Sequence, residues 1–144
     1  MITPQTAGRT YADDVADIHQ AALDYMQGWY EGDAERMRRS LHPELAKRAI
    51  LPDPQTGEER FHHLSQQQMV AKTAQGGGRD DAPADKRYYA VLVLDIYGDI
   101  ATVRADTYEY VDYLHLARSQ DKWLIVNVLW TESRDRATQQ SEPS

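Results

Sequence analysis

The side chains best able to do chemistry lie in the last third of the chain. They are Tyr108, Asp112, Tyr113 and His115, followed after a short turn by Asn127 and Trp130. His115 has a reference pKa near neutrality, which makes it the natural general acid–base candidate. Asp112, if walled in by apolar residues, could act as a base instead. The two compete for position. Pairing Val111–Arg118 with Lys122–Thr131 about a Gln120-Asp121 turn sorts their side chains onto two faces. One face holds Val111, Tyr113, His115 and Ala117 with Leu124, Val126, Val128 and Trp130. The other holds Asp112, Leu114 and Leu116 with Trp123, Ile125, Asn127 and Leu129. Both are mostly apolar, so both should be covered, and a one-residue slip would exchange them.

If the first face is concave, Tyr113 and His115 meet Tyr25 and Trp29 of an N-terminal helix in an apolar cavity with few polar groups. If the second is concave, Asp112 and Asn127 become the polar pair. The cavity candidates are therefore Tyr25, Trp29, His62, Tyr108, Tyr113, His115, Asn127 and Trp130, with His115 and Asp112 as catalytic candidates. The plainer alternatives are a strand histidine with a satisfied hydrogen bond and a solvated aspartate at a strand end. His62 and His63 are adjacent in a possible strand, so they point to opposite faces and only His62 is taken as a cavity residue. His42, ahead of Pro43, reads as a turn residue. No helical or turn spacing joins these histidines into a metal site, and no metal or cofactor is expected. Gly76-Gly77-Gly78 follows a helix and lacks a following Lys-Ser or Lys-Thr, so it is not a phosphate loop. No serine sits in a nucleophile elbow.

The elements that must position these residues fall in two blocks. Thr10-Tyr11-Ala12-Asp13 is a capping box. Val15, Ile18, Ala22, Tyr25, Met26 and Trp29 follow at helical spacing. Gly32 can end that helix and Asp33 can cap a short second one over Ala34–Leu41. Leu45–Leu51 is ambiguous, with Arg60–Leu64 returning as a strand of a small hairpin. Ser65-Gln66-Gln67-Gln68 is a second capping box, and the helix it opens ends at the glycines. The stretch to Asp85 reads as a flexible surface loop. From Tyr88 the pattern turns to strands: Tyr88–Tyr97, Ile100–Tyr108, Val111–Arg118 and Lys122–Thr131. Helices first and meandering strands second argue an α+β layer.

Composition narrows the function classes. The 144 residues carry a net charge of −7 and no cysteine. An acidic surface repels phosphate backbones, so no nucleic-acid partner is expected. Without cysteine there is neither a disulfide framework nor a zinc–thiolate site. No apolar run reaches the length of a membrane span and no signal peptide is visible, so the expected location is cytoplasmic. Nine tyrosines and three tryptophans against one phenylalanine suit half-wet surfaces such as pocket walls and interfaces. The expected organisation is a disordered lead-in over 1–9, one domain over 10–133 and a polar tail over 134–144.

Several stretches resemble a known superfamily. Tyr30-Glu31-Gly32-Asp33, then Met37, Leu41 and His42-Pro43-Glu44, look like the opening of nuclear transport factor 2-like (SnoaL-like, ketosteroid isomerase-like) proteins. Leu41–Arg48, Asp95–Asp99, Tyr110–Leu114 and Trp123–Asn127 are similar to its "putative lumazine-binding" branch. The resemblance implies a cone: a strongly curved antiparallel sheet with N-terminal helices packed across it, also described as cystatin-like. It further implies a homodimer through the outer sheet face. An aspartate serves as base in the ketosteroid isomerase relatives, but their catalytic residues do not map onto this chain. Fold alone does not decide function. Three readings stand: a binder of a small hydrophobic or aromatic molecule, an acid–base enzyme (isomerase, dehydratase or cyclase), and a dimeric accessory domain whose cone is merely filled.

Overall fold

A computed structural model describes residues 8–79 and 81–134 of the chain. The expected ends, 1–9 and 134–144, fall mostly outside these residues; Arg9 is described, and it pairs with Asp14 at 2.7 Å and Asp17 at 2.8 Å. Thr10 starts the first helix. Its hydroxyl accepts from the Asp13 backbone N–H, and the Asp13 carboxylate accepts from the Thr10 N–H, which satisfies two donors that would otherwise be orphaned. Helix α1 runs Tyr11–Glu31 and buries Ile18, Ala22, Tyr25 and Met26. Gly32, at φ 70°, closes it in the left-handed conformation.

Asp33 then caps α2 (Ala34–Ser40) through the Arg36 N–H. The buried Asp24 carboxylate ties α2 to α1 by accepting from Arg36 and Arg39 at 3.1 Å each. Burial pushes Asp24 up, but the bonds from Arg39, Gln20 and Arg36 outweigh it and hold the carboxyl below the usual range.

The ambiguous Leu45–Leu51 segment is part of a long strand, β1 (Leu41–Pro52), which forms the expected hairpin with β2 (Glu59–Leu64). The Ser65 capping box opens α3 (Gln66–Ala74). A turn of 3-10 helix at Ala84–Lys86 leads to β3 (Ala90–Tyr97), β4 (Ile100–Asp106), β5 (Tyr110–Ser119) and β6 (Lys122–Glu132). The six strands form one sheet in the order β2-β1-β6-β5-β4-β3. All neighbours are antiparallel except β1 and β6, which run parallel. The helices lie on one side of this sheet, and their apolar stripe meets Val103, Leu114, Leu116, Ile125 and Val128 in the core.

Register breaks bend the sheet into a cone: one in β1 against β6, between Leu41 and Ala46, and two bulges elsewhere. In β3 the register jumps between Val93 and Asp95, and in β6 between Ile125 and Asn127. Each inserts one unpaired residue, which curves the strand. The second bulge, at Val126, corrects the face assignment. Uninterrupted alternation puts Trp123, Ile125, Asn127 and Leu129 together. The extra residue reverses the alternation, so Trp123 and Ile125 point inward and so do Val128 and Trp130. Asn127 and Leu129 turn outward. The concave face thus combines Asp112, Leu114 and Leu116 with residues drawn from both expected sets.

The β5–β6 turn has both central residues at positive φ, Gln120 at 51° and Asp121 at 65°. This is the hairpin geometry that glycine adopts without strain. Asp121→Gly is expected to stabilise the protein by about 0.5–1 kcal/mol. Thermal unfolding should show a midpoint raised by about 3 °C; a lowered midpoint would contradict the turn geometry.

No described helix is long and apolar enough to cross a membrane.

Candidate functional site

The cone encloses a cavity of about 290 Å³ between α1, α3 and the concave sheet face. Its walls are mainly aromatic and apolar: Tyr25, Met26, Trp29, Leu64, Met69 and Trp130. Each is delivered by its element's own periodicity. Tyr25, Met26 and Trp29 project from one side of α1 at helical spacing. On β1, Leu45, Lys47 and Ala49 alternate toward the inside, and so Lys47 faces the cavity from a strand otherwise apolar on that side. On β5, Asp112 is only 7% exposed.

These placements join three polar groups into one chain. The Lys47 ammonium donates to the Tyr25 hydroxyl at 2.6 Å, and that hydroxyl donates to Asp112 Oδ2 at 2.7 Å. Tyr25 is 4% exposed. Lys47 Nζ also sits over three rings, 5.1 Å from the centroid of Tyr25, 5.4 Å from Trp130 and 6.0 Å from Trp29. Those distances are in the cation–π range. Lys47 keeps some exposure as a whole residue, but its ammonium is stripped of water by the rings.

Burial dominates the electrostatics. It pushes the Asp112 carboxyl up against the opposing pull of Lys47 and of the Tyr25 hydrogen bond. It pushes Lys47 down against the attraction of Asp112 and Asp81. It raises the Tyr25 phenol well above its ordinary value, with Asp112 adding to the effect. An acid held up and an amine held down, joined by one hydroxyl, make proton transfer between them inexpensive.

The aromatic wall is braced from behind. Asp81 accepts from the Trp29 indole N–H at 3.1 Å and from the Tyr110 hydroxyl at 2.7 Å. Tyr110 in turn meets Trp130 edge-to-face, with centroids 5.3 Å apart. The stretch expected as a flexible loop is therefore the piece that locks both tryptophans. Gly78 makes this possible, because a Cβ there would lie 2.1 Å from the Trp29 carbonyl oxygen. Deeper in, the buried Tyr30 hydroxyl donates to Glu109, which helps raise the Tyr30 phenol after burial itself.

Of the residues singled out in the sequence, Tyr25, Trp29, His62 and Trp130 line the cavity, and Asp112 reaches it from the second face. Tyr113, His115 and Asn127 do not. They point outward, and His115 Nδ1 faces Asn127 Nδ2 at 3.4 Å on the convex side. Tyr108 sits in the β4–β5 connection and is not among the lining residues. His63 borders the cavity together with His62, although adjacent strand residues should diverge; both stand at the end of the short edge strand β2, at the mouth. His42 Nδ1 accepts from the Glu44 backbone N–H at 3.0 Å, a turn contact. Lys47, Tyr110 and Asp81 were missed. Among the described residues, no cluster of His, Cys, Asp or Glu is arranged to hold a metal ion.

Comparison with known proteins agrees with this geometry. Residues 13–131 match the family described as "Putative lumazine-binding". No curated protein sequence matches the chain. An NTF2-like protein of unknown function from Shewanella baltica is 18% identical at a TM-score of 0.71, over 88% of this chain and 98% of its own. One from Silicibacter pomeroyi is 16% identical at 0.68, over 87% and 100%. A protein from Streptomyces avermitilis described as a putative dehydratase of the NTF2-like family is 14% identical at 0.59, over 86% and 99%. At such identities these structures establish the fold and nothing of the chemistry.

Proposed function

Because the chain belongs to the "Putative lumazine-binding" family of nuclear transport factor 2-like fold, we propose that its cone binds a small, flat, hydrophobic or aromatic molecule carrying an acceptor oxygen. One observation carries this reading: a desolvated ammonium, Lys47, stands in an aromatic cage inside a mainly aromatic and apolar cavity. Aromatic walls take a flat apolar body, and Lys47 has donors beyond the one given to Tyr25. The volume lies at the small end of ligand pockets, which favours one or two fused rings. A carbonyl or carboxylate oxygen would gain a charge-assisted bond, whereas a cationic head group would be repelled.

The test uses the tryptophans as reporters, since Trp29 and Trp130 both line the cavity. Lumazine, benzoate and benzylamine are titrated against the protein. Saturable quenching is expected from lumazine and benzoate, with benzylamine at least about tenfold weaker, the loss of one charged hydrogen bond. Binding of none of them, or equal binding of benzylamine, would overturn the reading.

A second reading, an acid–base enzyme, is favoured by the buried Asp112 held against the Tyr25 hydroxyl. Asp112 could take a proton next to a carbonyl while Lys47 donates to the oxygen that becomes negative. The chemistry would be an isomerisation or dehydration. Its mark is Asp112→Asn, which should remove turnover and leave lumazine affinity nearly intact.

The expected homodimer is also a proposal. The convex face exposes a cross-strand row in which Leu92, Arg104, Tyr113 and Leu129 are register neighbours. Leu92, Tyr113 and Leu129 are all exposed, and such a row fits a second copy of the chain. Sedimentation should show a dimer that Leu129→Glu converts to a monomer with unchanged thermal stability. A monomeric parent protein would end this proposal.

A further inference from the structure

We propose that Lys47 is an imine-forming lysine, and that the cavity captures small aromatic aldehydes or ketones covalently at its Nζ. This rests on the reading of the cone as a small-molecule site and goes beyond it in naming a reaction. Four features of the geometry support it. Two lysines border the cavity, Lys47 and the exposed Lys72, and Lys47 is the one held by packing among three rings. It hydrogen-bonds a hydroxyl that in turn bonds a buried carboxylate, so a two-step proton path leads away from it. The aromatic walls accept a flat carbonyl compound beside it. The two groups that carry the proton, Tyr25 and Asp112, are both buried, which keeps the relay apart from bulk water. Burial also favours the neutral amine, the reactive form, and the neutral acid that must receive its proton.

The step balances without any other reactant. The Lys47 ammonium passes one proton to Tyr25 as Tyr25 passes its own to Asp112. The freed amine lone pair attacks the carbonyl carbon, and the C=O π pair moves to oxygen. A proton shifts from nitrogen to that oxygen, giving a carbinolamine. Asp112 then returns its proton through Tyr25 to the hydroxyl, the C–O bond breaks, and water leaves. A protonated imine remains beside the Asp112 carboxylate, which replaces the original ammonium–carboxylate pairing. The net change is ammonium plus carbonyl to iminium plus water.

The full chain is incubated with 4-hydroxybenzaldehyde and sodium cyanoborohydride, and the adduct is located by peptide mass spectrometry. One reduced adduct on Lys47 is expected, formed about tenfold faster or more than on Lys72, Lys86 or Lys122, because a desolvated amine is the larger free-base fraction. The alcohol analogue, 4-hydroxybenzyl alcohol, should protect Lys47 on the unmodified sequence, so the result does not depend on a variant that folds. Lys47→Arg keeps the cation but cannot form an imine, so it should give no reduced adduct in the cavity. Tyr25→Phe should slow trapping, because it removes the hydroxyl that relays the proton from Lys47 to Asp112. Saturable aldehyde binding with adducts spread evenly over the surface lysines would overturn the imine and leave the binding site standing. No saturable quenching by aldehyde or alcohol would overturn both.

Discussion

Lys47→Met should weaken binding of lumazine or benzoate by about 10–100-fold, the loss of a hydrogen bond to a charged group. It should also make stability depend on pH in a new way. Asp112 is buried, and Lys47 is the cation that pulls its carboxyl down. Without that cation, only the Tyr25 hydrogen bond opposes burial, and the folded-state pKa rises further above the unfolded one. A group raised in this way contributes stability that is fully present below the unfolded pKa and is lost as pH rises through the folded value. The cost of the substitution should therefore be small at about pH 3, below the ordinary aspartate value of 3.8, where Asp112 is mostly protonated in both states. It should grow to about 3 kcal/mol at neutral pH, the penalty of a buried charge left without its partner. The measurement is thermal or urea unfolding of both proteins from about pH 3 to 8. A difference that stays flat across that range would show that Lys47 and Asp112 are not coupled.

Gly78→Ala should be the most damaging single methyl group in the described structure. The added Cβ would lie 2.1 Å from the Trp29 carbonyl oxygen and 2.5 Å from its carbon. Both are backbone atoms of α1, so neither can swing away. The loop must lift, at a cost of about 3 kcal/mol. Lifting it withdraws Asp81 from the Trp29 indole and the Tyr110 hydroxyl. Trp29 emission should shift to the red and ligand affinity should fall along with stability. Gly57→Ala is the contrast, because a Cβ there meets nothing within 4 Å and only its positive φ opposes the change. If the two variants unfold at the same urea concentration, the loop does not brace the cavity.

These two predictions involve residues that sequence reasoning did not place in the site. Local signals were legible wherever one side chain decides the backbone. The Thr10 and Ser65 capping boxes, the Gly32 helix stop, the Asp33 cap and the Gln120-Asp121 turn all appear as read. In β4, plain alternation holds, and Ala101, Val103 and Ala105 form its buried side. Tyr113 and His115 point outward because they share the β5 face opposite Asp112, and alternation alone does not say which face is concave. Asn127 turns outward for a different reason. Val126 is an extra residue in β6, and no residue type announces it, because valine suits a bulge no better than a regular strand. Lys47 had a usable signal. Leu45, Lys47 and Ala49 alternate in β1, and a lysine in the middle of an inward apolar row is either buried or functional. It went unused because Pro43 and Pro52 bracket the segment and left its secondary structure undecided. Asp81 was not readable at all; its role comes from a loop whose path depends on how closely glycine lets it approach α1.

The central claim is that the Lys47–Tyr25–Asp112 chain meets a guest molecule inside the cone. A crystal structure of the protein soaked with lumazine tests it most directly. The expected density lies between the Trp29 and Trp130 rings, with a lumazine oxygen within hydrogen-bonding distance of Lys47 Nζ. A cone closed by its own side chains, or lumazine bound only on the convex face beside His115, would contradict the account.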